Sequence, residues 1–264
     1  MNINLNKNIK GDVVMIKVLE VTKEPLRVMG NAASVCYDSI ELEDILNNAK
    51  VKTAKGIAKH CLKSGHDRVA EFGDVTLILD KYSARCIRQL YTAMIGISKL
   101  QQSTRYVSYD DVKFGYFTPN PIKNNNEAKA IYDGCMEYIL DSYTKLLDMG
   151  IKEEDAGNLL PLGQHTRITC KINIRALEHL FSIRECTRTY SEFRQLMKEL
   201  RSVLEVIDED WKYLCDNYFK VKCEKTLYCT ESKCCGRYPT KETIEQALKE
   251  YKEKLKLEKT GQVV

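Results

Sequence analysis

This sequence is short of several things, and each shortage removes a class of function. No stretch approaches the ~20 consecutive apolar residues that a membrane-crossing helix requires, so no membrane span is expected. The polar opening from Met1 to Lys10 lacks the apolar centre of a secretory leader, which points to a cytoplasmic location with reduced thiols. No two glycines stand as G-x-G, and the G-x-x-x-x-G-K-[ST] loop is also missing. Neither the dinucleotide fingerprint nor the phosphate loop can therefore form. Gly96-Ile97-Ser98 begins like a nucleophile elbow, but Leu100 stands where the closing glycine belongs. Only 4 histidines occur, none of them in H-E-x-x-H. Charge of one sign is also scarce in excess: 41 basic residues face 37 acidic ones, and a net charge of +4 is too weak to argue for a nucleic-acid polymer as partner. Any nucleotide bound here must be held by side chains and loops.

What remains is an ordinary globular composition, 44% hydrophobic and 30% charged over 264 residues, enough for a substantial core. Val13–Val21 (VVMIKVLEV) and Asp74–Asp80 (DVTLILD) read as strands. Leu42–Leu62 is compatible with a helix that stops at Gly65, and Ala84–Ala93 reads as another. Tyr106–Asn126, with Pro119, Pro121 and an Asn run, is the longest connection. Glu127–Met149 carries apolar residues at helical spacing and ends at Gly150, and Ile174–Val206 reads as two successive helices. Thr240–Glu258 is a Lys/Glu-rich helix with Thr240 as its N-cap. Its stripe of Ile244, Leu248, Tyr251 and Leu255 is expected to dock on the body. Strands mixed with long late helices give an α+β class.

Two segments gather groups able to do chemistry. Arg88–Tyr106 brings Gln89, Gln101, Ser103 and Arg105 near a glycine. Guanidinium forks suit phosphate, and amides suit the edge of a base. Further on stand Asn173, Arg175, His179 and Arg184. Arg175 and His179, four apart, share a helical face, whereas Arg184, nine beyond Arg175, falls near the opposite one. Either one of the two arginines is structural, or the helix lies between two pockets at a subunit interface.

The order of these pieces resembles a known family. Ala33-Ser34-Val35-Cys36-Tyr37 is followed by Gly65-His66 with Glu71, by Arg88-Gln89, and by Ser103-Thr104-Arg105-Tyr106. Phe117-Thr118-Pro119, Leu160-Pro161, Thr166, Asn173-Ile174-Arg175, His179, Arg184 and Glu192-Phe193-Arg194 complete the series. From about Ala32 to Arg194 the chain resembles the flavin-dependent thymidylate synthases, also called thymidylate synthase complementing proteins. The resemblance implies that family's α+β fold, with an antiparallel or mixed sheet and long helices. It implies reductive methylation of dUMP to dTMP, with methylenetetrahydrofolate and NADPH as co-substrates, on an FAD held in a homotetramer with shared active sites. By position, His66, Arg68, Gln101, Asn173, Arg175 and His179 correspond to FAD contacts. Gln89, Gln101, Ser103 and Arg105 correspond to dUMP contacts. Arg184 corresponds to the residue that assists ionisation of the uracil, where a fixed guanidinium stabilises developing negative charge.

The chain departs from that family's R-H-R signature, where it has Thr92-Ala93-Met94, and has Gly157 where an arginine is expected. Arg85, Lys99 and Arg188 are candidates to replace the missing charge. An alternative reading is an inert or altered paralogue that still binds a pyrimidine nucleotide or FAD. The expected division is a family-like domain over 1–215 and an appended Cys-rich loop and helix over 216–264. No metal site is assigned. Cys223, Cys229, Cys234 and Cys235 crowd together at irregular spacing, which leaves free thiols, a zinc site or a disulfide open.

Overall fold

The computed structural model describes residues 15–37, 41, 43–44, 51–93, 95–109 and 114–259. Strand β1 (Ile16–Val21) comes first; Val13 and Val14, read as its start, lie outside the described residues. Helix α1 (Pro25–Tyr37) follows, with proline at its first position, where the missing N–H costs nothing. It buries Leu26, Met29 and Ala33 on one face. Helix α2 (Val51–Lys63) ends before Gly65, whose φ of 78° is open to glycine without strain. Of the helix read over 42–62, residues 42 and 45–50 are not described. Helices α1 and α2 cross at Gly30, where an added Cβ would lie 1.8 Å from the Ala54 carbonyl oxygen.

A 3₁₀ turn (Asp67–Phe72) leads into β2 (Asp74–Ser83) and then α3 (Ala84–Leu90). Strand β3 (Ile97–Gln101) precedes a long connection, the short α4 (Asn120–Lys123) and the long α5 (Asn126–Asp148). Asn125 caps α5 by accepting from the Ala128 N–H at 3.1 Å. After α6 (Glu153–Ala156) come β4 (His165–Asn173), α7 (Ile174–Arg184), α8 (Ser191–Leu204), α9 (Glu209–Asn217), α10 (Lys222–Thr226) and α11 (Lys241–Lys259).

The four strands form one antiparallel sheet in the order β1-β2-β4-β3. Register pairs Val75 with Ile172 and Leu77 with Cys170, so the buried side chains of β2 and β4 alternate onto one face. There they join Leu177 and Phe181 of α7, Phe193, Leu196 and Leu200 of α8, and Trp211 of α9 in one core. The opposite face carries the ion pairs Arg167–Asp80 at 2.9 Å and Lys171–Asp74 at 3.2 Å. A smaller core of Tyr109, Tyr143 and Ala156 pins the long connection to α5. No helix among the described residues is long and apolar enough to cross a membrane.

Glu192, at the start of α8, is buried and accepts from the Ser83 N–H at 2.6 Å and the Ser83 hydroxyl at 2.5 Å. The same hydroxyl accepts from the Cys86 N–H at 3.0 Å and so caps α3. At the other end of α8, Arg201 donates to both carboxylate oxygens of Glu185 and to the carbonyls of Cys215 and Phe219. Phe219 stacks on Phe181 with ring centroids 4.9 Å apart. The core therefore runs through Tyr218, Phe219 and Val221, past the division expected at residues 215 and 216.

The C-terminal helix corrects one expectation. Its apolar stripe does not dock on the body: Ile244, Leu248, Tyr251 and Leu255 are all exposed. A stripe of four large apolar residues in a Lys/Glu-rich helix offers too little surface to outweigh the entropy of holding it down.

Candidate functional site

Helix α7 carries a different cluster at each end. At its start, Asn173 accepts from the Ala176 N–H at 2.8 Å and caps the helix. The Asn173 amide also presses on Gly96, where a Cβ would sit 2.7 Å away and φ is 76°. Arg175 reaches the Glu71 carboxylate at 2.5 Å. Glu71 belongs to the 67–72 turn, which also carries Arg68 and follows directly on His66. His66, Arg68, Arg175 and His179 are all exposed, and none is enclosed within this chain. His66 also lines a cleft of about 690 Å³ between α1 and α2, together with Ser34, Gly56 and His60.

At the far end, nine residues and so about 13.5 Å further along the axis, stands Arg184. Its Nη2 donates to the Thr92 hydroxyl at 3.0 Å, and its guanidinium lies 5.1 Å from the Phe193 ring centroid. Its Nε is buried without a partner among the described residues. An unpaired buried donor of this kind costs about 1–3 kcal/mol, a cost that a ligand acceptor removes. Arg184 lines a cleft of about 550 Å³ with Gln89, Arg188 and Tyr190 on one side. Burial pushes the Tyr190 hydroxyl up to about 12, and the Arg85 guanidinium lies 5.6 Å from its ring centroid. The other wall comes from the Cys-rich segment, through Cys223, Cys229 and Cys235 together with Lys222, Lys233 and Arg237.

The third group lies elsewhere. Gln101 pairs with Ile168 at the end of β3 and donates to Thr166 at 3.3 Å. The Ser103 hydroxyl accepts from the Arg105 N–H at 3.1 Å, and Arg105 donates to Glu154 at 3.0 and 2.9 Å. None of the three lines the Arg184 cleft. Within one chain, then, only Gln89 and Arg184 of the expected dUMP group share a hollow. Of the expected flavin group, Asn173 and Arg175 stand at the start of α7, Arg68 on the turn that supplies Glu71, and His66 just before it, while His179 lies midway along α7 and Gln101 at the end of β3.

The departures from the family signature have local structural consequences. Thr92 donates to the Gln89 carbonyl at 2.7 Å while accepting from Arg184, so it orients two cleft residues; Met94 lies outside the described residues. At Gly157 a Cβ would come within 3.3 Å of the Thr104 carbonyl oxygen. Of the candidates to restore charge, Arg188 reaches the cleft, whereas Lys99 sits over Tyr91 and bonds the Ala93 carbonyl. The sequence reading missed Lys222, Lys233 and Arg237. Their signal was the basic residues interleaved between the cysteines of CEKTLYCTESKCCGRYP.

All eleven cysteines are free. The Cys234 Sγ lies 3.1 Å from the Tyr238 carbonyl oxygen, within reach to donate to it. Among the described residues no group of three or more His, Cys, Asp or Glu is arranged to hold a metal.

Known proteins share this architecture. The flavin-dependent thymidylate synthase of Geobacter sulfurreducens is 28% identical over 185 residues, covering 70% of this chain and 79% of the relative. The enzyme of that name from Nitratidesulfovibrio vulgaris is 29% identical over 245 residues, 87% of this chain and 97% of the relative. The crystal structure of a UMP/dUMP methylase, PolB from Streptomyces cacaoi, bound with 5-Br dUMP, superimposes with a TM-score of 0.61 at 16% identity, covering 78% of this chain and 96% of that one. That similarity supports the α+β fold. Residues 17–208 match the sequence model of the thymidylate synthase complementing proteins. With most of its length inside that match, the chain belongs to the thymidylate synthase complementing protein family.

Proposed function

We propose that this protein is a flavin-dependent thymidylate synthase, a methyltransferase that converts dUMP to dTMP with methylenetetrahydrofolate as carbon donor and NADPH as reductant. The observation that carries this reading is Arg184, a guanidinium with a buried, unpartnered Nε in a nucleotide-sized cleft. A cation held there by Thr92 and Phe193 stabilises negative charge on a pyrimidine ring without having to reorganise. Gln89 offers an amide to the base edge, and Tyr190 offers a ring face. Membership of the family and the names of its relatives support the same activity.

The residues of the expected flavin group suit FAD in chemical type. Two imidazoles and two guanidiniums, His66, His179, Arg68 and Arg175, offer donors to a pyrophosphate and to flavin carbonyls. They stand on an open face, as half of a site completed by another protomer would, and a homotetramer with shared sites is the assembly we infer. FAD, when bound, supplies the redox chemistry that no side chain can. This chain's residues bind and orient. Asn173 fixes the start of α7, and Glu71 holds Arg175 in place.

A second reading, an altered paralogue that binds pyrimidine nucleotide and flavin, draws on Thr92, which spends the Arg184 Nη2 donor on the protein itself. One experiment separates the two. Protein purified with FAD and supplied with NADPH, methylenetetrahydrofolate and C5-tritiated dUMP is expected to release tritium and form dTMP. A yellow protein that binds dUMP yet releases no tritium sinks the synthase reading and leaves the paralogue.

A further inference from the structure

The segment after the core is more than an appendage. Its residues form one wall of the Arg184 cleft, and the charge they bring is mostly positive. Lys222, Lys233 and Arg237 face the hollow from this segment, and Arg188 faces it from the α7–α8 connection. Among the described residues Glu231 is the one acidic side chain lining the cleft, and Arg188 already pairs with it at 3.2 Å. The cleft is thus strongly basic on a protein whose overall charge is nearly balanced.

The charge is distributed along the hollow. One end holds the half-buried Arg184, Gln89 and Tyr190, with the Arg184 Nε fully covered. The outer end holds Arg188, Lys222, Lys233 and Arg237, all exposed. A nucleoside monophosphate has the matching polarity, a flat base with hydrogen-bonding edges at one end and a dianion at the other. A position that the family fills with arginine is Gly157 here, and that glycine packs against the Thr104 carbonyl instead of reaching a ligand. Within one chain neither Ser103 nor Arg105 lines this cleft, so the positive charge facing it beyond Arg184 comes from Arg188, Lys222, Lys233 and Arg237. Arg201 holds the new wall in place by binding the Cys215 and Phe219 carbonyls, immediately before the segment turns into α10.

We propose that Lys222, Lys233 and Arg237 form the subsite for the 5′-phosphate of the pyrimidine nucleotide, so that the Cys-rich segment is part of the substrate site. This rests on the pyrimidine-nucleotide reading above. It also places the Cys235 thiol, held below the usual thiol range chiefly by a hydrogen bond with Thr187 and further by the nearby Arg237 guanidinium, at the mouth of the bound nucleotide.

The test compares full-length protein with a Lys222→Gln/Lys233→Gln/Arg237→Gln variant, with Arg237→Gln alone as a second variant should the triple one not fold. Calorimetric titration with dUMP and with deoxyuridine separates the phosphate from the base. The triple variant is expected to bind dUMP at least about tenfold more weakly, the loss for one charge-assisted bond or more. Arg237→Gln is expected to show a smaller loss in the same direction, and deoxyuridine is expected to bind all forms alike. Iodoacetamide labelling read by peptide mass spectrometry is expected to show dUMP, and not deoxyuridine, slowing the alkylation of Cys235. Wild-type protein that binds dUMP no more tightly than the folded variants overturns the subsite alone. Wild-type protein that loads FAD but binds neither dUMP nor deoxyuridine overturns the pyrimidine reading and the subsite together.

Discussion

Arg201 grips Glu185 through a two-point contact, Nε to one carboxylate oxygen at 2.9 Å and Nη2 to the other at 2.8 Å. The same guanidinium lies 4.6 Å from the Phe181 ring centroid and holds two carbonyls from the end of α9 and the residues after it. One side chain thus ties α7, α8 and the start of the Cys-rich segment together. Arg201→Met keeps most of the volume and removes every donor. It is expected to cost about 1.5–3 kcal/mol, the range for a lost hydrogen bond to a charged group. Urea unfolding followed by circular dichroism measures it. A loss within error of zero shows that the bond is not needed.

Gly30→Ala tests the crossing of α1 and α2. A methyl there meets the Ala54 backbone oxygen at 1.8 Å, and no rotamer relieves a backbone clash. The helices must separate, and overpacking of this kind typically costs about 1–3 kcal/mol. The midpoint of thermal unfolding should fall, although alanine is the better helix former.

The pair Ser83 and Glu192 gives a third. Glu192→Ala leaves the Ser83 N–H unpaired in the core, at a cost of about 1–3 kcal/mol. Ser83→Ala keeps that N–H on Glu192 but removes the cap of α3, so it should cost less, on the order of 1 kcal/mol. Because the two act through one network, the double variant should lose less than the sum of the singles. Four denaturation curves decide it.

His165 sets a pH dependence. Burial holds its pKa below the usual 6.5, with Lys81 acting in the same direction. The folded protein therefore resists protonation that the unfolded chain accepts. Its contribution to stability is complete above pH 6.5 and is lost as pH falls through 6.5 toward the folded value. Unfolding curves between pH 7.5 and 5.5 should show this loss, and His165→Gln should flatten it. A variant with unchanged pH dependence places the effect elsewhere.

Arg184→Gln tests the cleft chemistry. Loss of a fixed cation at a developing charge typically costs about 10²–10³ in turnover. Flavin content, read from absorbance of the purified protein, should stay at the wild-type level. Equal turnover in the variant removes Arg184 from the reaction.

Legibility in the sequence followed the strength of local signals. The helix over Asn126–Asp148 was plain from its apolar spacing and closing glycine, and the two helices after Ile174 were equally clear. Strand β4 went unread although HTRITCKIN alternates, because two of its four buried positions are Thr166 and Cys170, which weaken the apolar signal of the period of two. Helix α1 went unread; its Gly30 lowers local helix propensity, and the structure uses that glycine as the contact point with α2. In the site, the opposed directions of Arg175 and Arg184 could be read from a nine-residue spacing. The shared cleft of Arg184, Lys222 and Arg237 could not be, since it depends on Arg201 folding the chain back through contacts 14 and 18 residues apart in sequence.

The order of the chain gives the cleft a timetable. All four strands and helices α1 to α9 precede Tyr218, while the basic wall comes from Lys222 onward. During synthesis, the scaffold that carries Arg184 leaves the ribosome before the lysines and arginine facing it. A ligand that needs both sides can be captured only once the chain has been made through Arg237, and a chain stopped after α9 would carry an open, undercharged hollow.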